Sequence, residues 1–208
     1  MIDVAETEAM PGAPPLPPEV EHPFEVGQGR ITNELVKTIE NTKRDGIRVS
    51  ERAHGSQRAG SIQYASTVET IEVPVGANPH VTYQCVPLRF ELLLNSNLSF
   101  ESRYATLVHE LGHLYCGHLS TPNNKWWPDR QGLPLEIREF EAESVCYLVC
   151  TRLGIDNPSA QYLSGYVRKY ESTPPISLDA VLKSSWLIEK MGRERLGLRK
   201  VAGESRPN

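Results

Sequence analysis

His109-Glu110-Leu111-Gly112-His113 decides the reading of this chain. On an α-helix, residues four apart lie nearly above one another, so both imidazoles leave one face and can hold a single metal ion. Glu110 sits one residue along, where its carboxylate reaches a water at that metal without ligating it. Tyr104, Leu107, Val108, Leu111, Leu114 and Tyr115 surround the motif, so the helix is expected to be buried, and buried imidazoles need partners. The metal implied is zinc, which brings the pKa of such a water toward neutrality, so that Glu110 can take its proton.

Working outward, two histidines do not complete a catalytic zinc site, which has three protein ligands and an open position. The extended pattern HExxHxxGxxH fails, because Cys116 and Leu119 occupy its glycine and histidine positions. His118 lies well round the helix from His113 and reads as a partner of the site or a surface residue. An acidic ligand is the alternative. Glu139, Glu141 and Glu143 precede and enter the apolar run from Val145 to Cys150, and carboxylates there need compensation, which a dication provides. Glu141 and Glu143 lie about 200° apart on a helix, so only one of them faces the metal. Glu143 is deeper in the apolar segment and is the expected third ligand, with Glu139 and Glu141 as the other choices. Tyr147, Tyr115, Tyr104 and His118 are candidate oxyanion donors. Trp126 and Trp127, adjacent in the loop between the metal-binding segments, are candidates for a substrate wall, one bordering the cleft and the other plugging the core.

The rest of the chain reads as α+β. Six of the sixteen prolines fall in residues 1–23, and residues 1–29 carry a charge of −6, against −4 for the whole chain. Residues 1–23 are therefore expected to be a disordered, Pro-rich acidic tail. A single domain is expected over 24–196, with a flexible C-terminal tail at 197–208. Helices are expected near Thr32–Arg44, from Ser99 through the metal motif to about His118, over Pro134–Leu153, Ser159–Lys169 and Leu178–Leu196. Residues 50–60 read as a loop. β-rich stretches at Ser61–Val75 and Val81–Asn95 suggest a small mixed or antiparallel sheet, with Pro74 and Pro87 demoting their strands to edges. Strands first and helices afterwards give a sheet packed on helices. The stretch Val81–Asn95 is the expected edge that receives substrate.

Cys85, Cys116, Cys146 and Cys150 are too few and irregular for a disulfide framework, and Cys146 and Cys150 read as small core residues. No apolar run has the length of a membrane span, and no signal peptide is legible. A reducing cytoplasm and no membrane partner are expected. The only basic cluster, Lys190 to Lys200, reads as a solvated helix end, so direct nucleic-acid binding is not expected.

The run Leu107-Val108-His109-Glu110-Leu111-Gly112-His113-Leu114, with Glu141-Ala142-Glu143-Ser144-Val145 further on, resembles the ImmA/IrrE group of zincin-like metallopeptidases. Glu143 through Ile155, and Gln161 through Val167 after it, are also similar to the metallopeptidase half of ArdC-type antirestriction proteins. The resemblance covers roughly residues 80–170. It implies a zincin-like fold with HExxH on the active-site helix, zinc on His109, His113 and Glu143, and Glu110 as catalytic base. It further implies cleavage of a protein partner such as a transcriptional repressor in a stress, phage or mobile-element response. No helix-turn-helix and no ArdC-like single-strand-binding domain is legible. A zincin scaffold that acts by contact, with structural zinc, is the rival expectation.

Overall fold

The computed structural model describes residues 24–27, 29, 31–55, 58–76, 80–159, 163–164 and 173–199. The tail expected over 1–23, the end of the chain from 200 and nearly all of the helix expected at Ser159–Lys169 lie outside these residues. The architecture is α+β. Helix α1 (Glu34–Thr42) leads through a 3-10 turn (Lys43–Asp45) to Gly46, whose φ of 76° reverses the chain into strand β1 (Ile47–Arg52). Strands β2 (Gly60–Tyr64), β3 (Thr70–Gly76), β4 (Thr82–Pro87) and β5 (Phe90–Asn95) follow. Helices α2 (Phe100–Tyr115), α3 (Leu135–Arg152) and α4 (Leu178–Arg193) complete the described elements.

Two sheets form. The larger runs β1-β5-β2, with β5 parallel to β1 and antiparallel to β2; β3 and β4 make a separate antiparallel pair. Alternation on β5 sends Phe90, Leu92 and Leu94 into the core, where they join Leu107, Val108, Leu111 and Leu114 of α2. Val145 and Val149 of α3 and Val181, Ile188 and Met191 of α4 close the other side. The sequence reading differs in its strands. Residues 47–52 are a strand that runs into the loop expected from residue 50, because β1 pairs with central β5 despite carrying only two apolar side chains. The two β-rich stretches divide into four strands, and Pro74 and Pro87 fall in the two-stranded unit, where neither strand is flanked on both sides.

Edge strand β2 is the element that faces the metal motif, not the Val81–Asn95 stretch, whose halves form the separate pair and the sheet centre. Ala65 N–H donates to Arg89 O (2.9 Å) and Asn95 N–H to Ala59 O (2.8 Å). These bonds bracket the ladder so that Ser61 and Gln63 form its hydrogen-bonded pairs with β5. Gly60, Ile62 and Tyr64 therefore turn their N–H and C=O groups toward the open edge. Gly60 permits the close approach: a Cβ there would stand 2.6 Å from Thr106 Cγ2 and 2.7 Å from Leu93 O.

Candidate metal centre

Ser99 caps α2 by accepting from Ser102 N–H, and the helix stops at Gly117, whose φ is 88°. Antiparallel to α2 runs α3, and Gly112 sets their distance. A Cβ at Gly112 would lie 3.2 Å from both Cα and O of Ala142. The small residue between the two histidines thus lets the helix bearing the glutamates come within ligand reach.

The structure brings His109 and His113 together with Glu139. Their Nε2 atoms stand 3.2 Å apart, and the Glu139 oxygens lie 3.7 Å from His109 Nε2 and 3.6 Å from His113 Nε2. Zinc bonds of roughly 2.0–2.2 Å in a tetrahedral shell place neighbouring donor atoms about 3.3–3.6 Å apart. The three residues form a group able to hold a metal ion, all half-buried. Glu143, the expected ligand, instead accepts a 3.0 Å hydrogen bond from His109 Nδ1. Glu139 and Glu143 share one face of α3 a turn apart, and the level at which α3 crosses α2 puts Glu139 beside both Nε2 atoms and Glu143 beside His109 Nδ1. Glu141 points the other way, fully buried, and takes His118 Nε2–H at 2.8 Å and both terminal nitrogens of Arg130 at 2.7 Å. Burial alone would raise the Glu141 carboxyl, yet His118, Arg130 and the Ser177 N–H hold it down at about 2.

These bonds assign the tautomers. Glu143 only accepts, so His109 donates through Nδ1 and leaves Nε2 bare. His118 donates through Nε2 to Glu141, so its Nδ1 accepts from His113 Nδ1 at 3.0 Å, and His113 Nε2 is bare as well. Burial, with His113 and then Arg130 nearby, keeps the His118 imidazole below its ordinary pKa despite its bond to Glu141. With both rings neutral, two imidazole lone pairs and a carboxylate face one another. Burial would lower His109, but its hydrogen bond to Glu143 and the charges of Glu110, Glu143 and Glu139 outweigh it and hold this imidazole above its ordinary pKa. The centre is a concentration of negative charge that favours a cation.

Two cavities open on this cluster. One, about 550 Å³, is lined by His109, Glu110, Glu139 and Glu143 together with Phe24, Val26 and Pro158. The other, about 370 Å³, joins His109, Glu110, His113 and Glu139 to Gly60, Ser61 and Ile62 of the edge strand and to Arg138. Glu110 belongs to both, and its carboxylate has no hydrogen bond or ion pair among the described residues.

Other expected site residues stand elsewhere. Tyr115 is buried and donates to Asp45 at 2.8 Å, and Tyr104 is fully buried, so neither reaches a substrate. Tyr147 is exposed and lines neither cavity. His118 lines the smaller cavity, but both its nitrogens are engaged. Trp127 packs edge-on against Tyr115 at 5.4 Å, and Trp126 lies under Arg89 and Arg199. Both tryptophans line a cavity against α4, away from the metal cluster. They help hold Arg199, which bonds buried Asp45 at 2.6 Å, so this part of the expected flexible tail is anchored. Cys146 and Cys150 are buried core residues, as their composition suggested, and the cysteines are all free. Arg138 and the backbone of β2 escaped the sequence reading; only the position of Arg138, next to Glu139, could have drawn attention to it. No described helix is long and apolar enough to cross a membrane. No protein-family model, curated protein or solved structure matches the chain.

Proposed function

We propose that this chain is a zinc-dependent metallo-endopeptidase of zincin-like fold, with His109, His113 and Glu139 as ligands and Glu110 as catalytic base. One observation carries the reading: two histidine Nε2 atoms and a carboxylate face one another at separations that suit a tetrahedral ion. Zinc, when bound, supplies a Lewis acid for the scissile carbonyl and an acidified water. Glu110, unpaired and open to both cavities, takes the proton of the attacking water and returns it to the leaving amine. The outward N–H and C=O groups of Gly60 and Ile62 receive the substrate as an added strand, which suits a peptide better than a compact small molecule. Arg138 is the donor available to the carbonyl oxygen as it gains charge. The resemblance to ImmA/IrrE proteins supports a regulatory protein, such as a repressor, as the natural substrate.

The test is Glu110→Gln assayed with zinc on a degenerate quenched-fluorescent peptide library. The variant is expected to keep zinc and melting temperature while hydrolysis falls at least a hundredfold. A zinc-loaded wild type that hydrolyses nothing, or a variant that retains wild-type turnover, rejects the enzyme reading in favour of a scaffold acting by contact.

A further inference from the structure

The two histidines of the cluster are held differently. His109 meets a carboxylate directly, whereas His113 meets a third imidazole, and behind that stands a buried ion pair. We propose that His118 is a positioning residue, fixed by the Glu141–Arg130 pair, that sets the ring orientation and tautomer of His113 and so the strength with which His113 holds metal. This rests on the metal reading above and extends it to residues that touch neither metal nor substrate.

The direction of every bond in the relay follows from its far end. Arg130 can only donate, and its terminal nitrogens occupy both Glu141 oxygens at 2.7 Å. The Ser177 N–H, at the cap of α4, adds a further donor at 2.7 Å. Held this way, the carboxylate can only accept, so His118 must present its Nε2 proton at 2.8 Å. A neutral imidazole then has a bare Nδ1, and His113 must donate to it at 3.0 Å. His113 is left with its Nε2 lone pair aimed at His109 and Glu139. A reversed relay would put a proton on His113 Nε2 and close that atom to any metal.

Cys116, His118 and Glu141 also lie close enough together to be taken for a second metal group. The bonds argue otherwise. The Arg130 guanidinium already supplies the positive charge at Glu141, and it also donates to Cys116 O at 3.0 Å. Burial pushes the Cys116 thiol up to about 12, and its Sγ is engaged with Ser184 Oγ at 3.4 Å. The group is the anchor of the relay rather than a competing site. Groups behind a metal ligand change affinity roughly 10–100-fold on removal, so the effect is measurable.

The experiment measures zinc affinity by chelator competition, and cobalt(II) absorption, for wild type, His118→Phe and His118→Asn. Phenylalanine keeps the ring and removes the acceptor; asparagine places an oxygen near the position of Nδ1. His118→Phe is expected to bind zinc at least tenfold more weakly with an altered cobalt spectrum, and His118→Asn to recover most of both. A folded His118→Phe with wild-type affinity overturns the relay, as does a folded His118→Asn as impaired as His118→Phe. Should His118→Phe not fold, Glu141→Gln carries the test: an affinity loss of tenfold or more is expected, and wild-type affinity overturns the proposal. A wild type that binds no zinc overturns the metal reading together with the relay.

Discussion

Arg138 lines the smaller cavity with Glu110 and His113, yet forms no ion pair among the described residues. Its Nε is buried without a hydrogen-bond partner. Under the proposed function, the Arg138 guanidinium beside the cleft is the donor expected to meet the carbonyl oxygen as it gains charge. Arg138→Met, which keeps the length and removes the charge, is expected to lower kcat by at least tenfold while zinc content and Tm hold. A fall in Tm with unchanged turnover would make Arg138 structural. At this scale the sequence exposed what one helix determines by itself. His109, Glu110 and His113 are placed relative to each other by helical spacing alone. The choice between Glu139 and Glu143 depends on the level at which α3 crosses α2, which no single-helix periodicity contains. The tyrosines and tryptophans misled for a related reason. An aromatic residue near a motif in sequence is as easily buried behind it, and Tyr115 turns away to Asp45.

Between elements, two glycines control how close the parts of the site come. Gly112 lies between the histidines, and its missing side chain sets the contact of α2 with the Ala142 backbone. Gly112→Val must push the helices apart, at a stability loss of roughly 1–3 kcal/mol typical of an overpacked contact. Because the histidines and Glu139 stand on opposite sides of that contact, zinc affinity is expected to fall with it. Equal affinity in a destabilised Gly112→Val would show that the ligand geometry does not depend on helix spacing. Gly60 plays the same part for the edge strand. A side chain there meets Thr106 and the Leu93 carbonyl, so Gly60→Ala should shift β2 outward and, if β2 receives the peptide as proposed, raise KM more than it lowers kcat. A change confined to kcat would detach β2 from substrate binding. The helices were legible because caps and apolar stripes are local signals: Ser99 caps α2, and Gly154 at φ 70° follows α3. Strand β1 was not, because Ile47-Arg48-Val49-Ser50-Glu51-Arg52 is short and mostly polar, and its order comes from pairing with β5, far along the chain.

Across the whole molecule, the α+β class followed from the order of elements, whereas the sheet order β1-β5-β2 depends on long-range pairing that no local pattern records. The metal cluster adds a long-range tie of its own. His109 and His113 come from α2 and Glu139 from α3, and the bonds behind them reach Arg130 in the intervening loop and Ser177 at the start of α4. An ion bound only by the folded state stabilises it by mass action, about 2.7 kcal/mol when free zinc is a hundredfold above Kd. In a domain of this size each kcal/mol moves Tm by roughly 2–4 °C, so zinc at that level is expected to raise Tm by about 5–10 °C. A chelator should remove the increment and added zinc restore it, as differential scanning calorimetry would show. In the double variant His109→Ala, Glu139→Ala, with one ligand left, the melting curve should ignore zinc, whereas Glu143→Ala should still respond, at higher zinc, because Glu143 only orients His109. Loss of the zinc response in Glu143→Ala with its survival in Glu139→Ala would return the third ligand to Glu143. A wild-type Tm indifferent to both zinc and chelator would mean that the three groups meet without holding an ion.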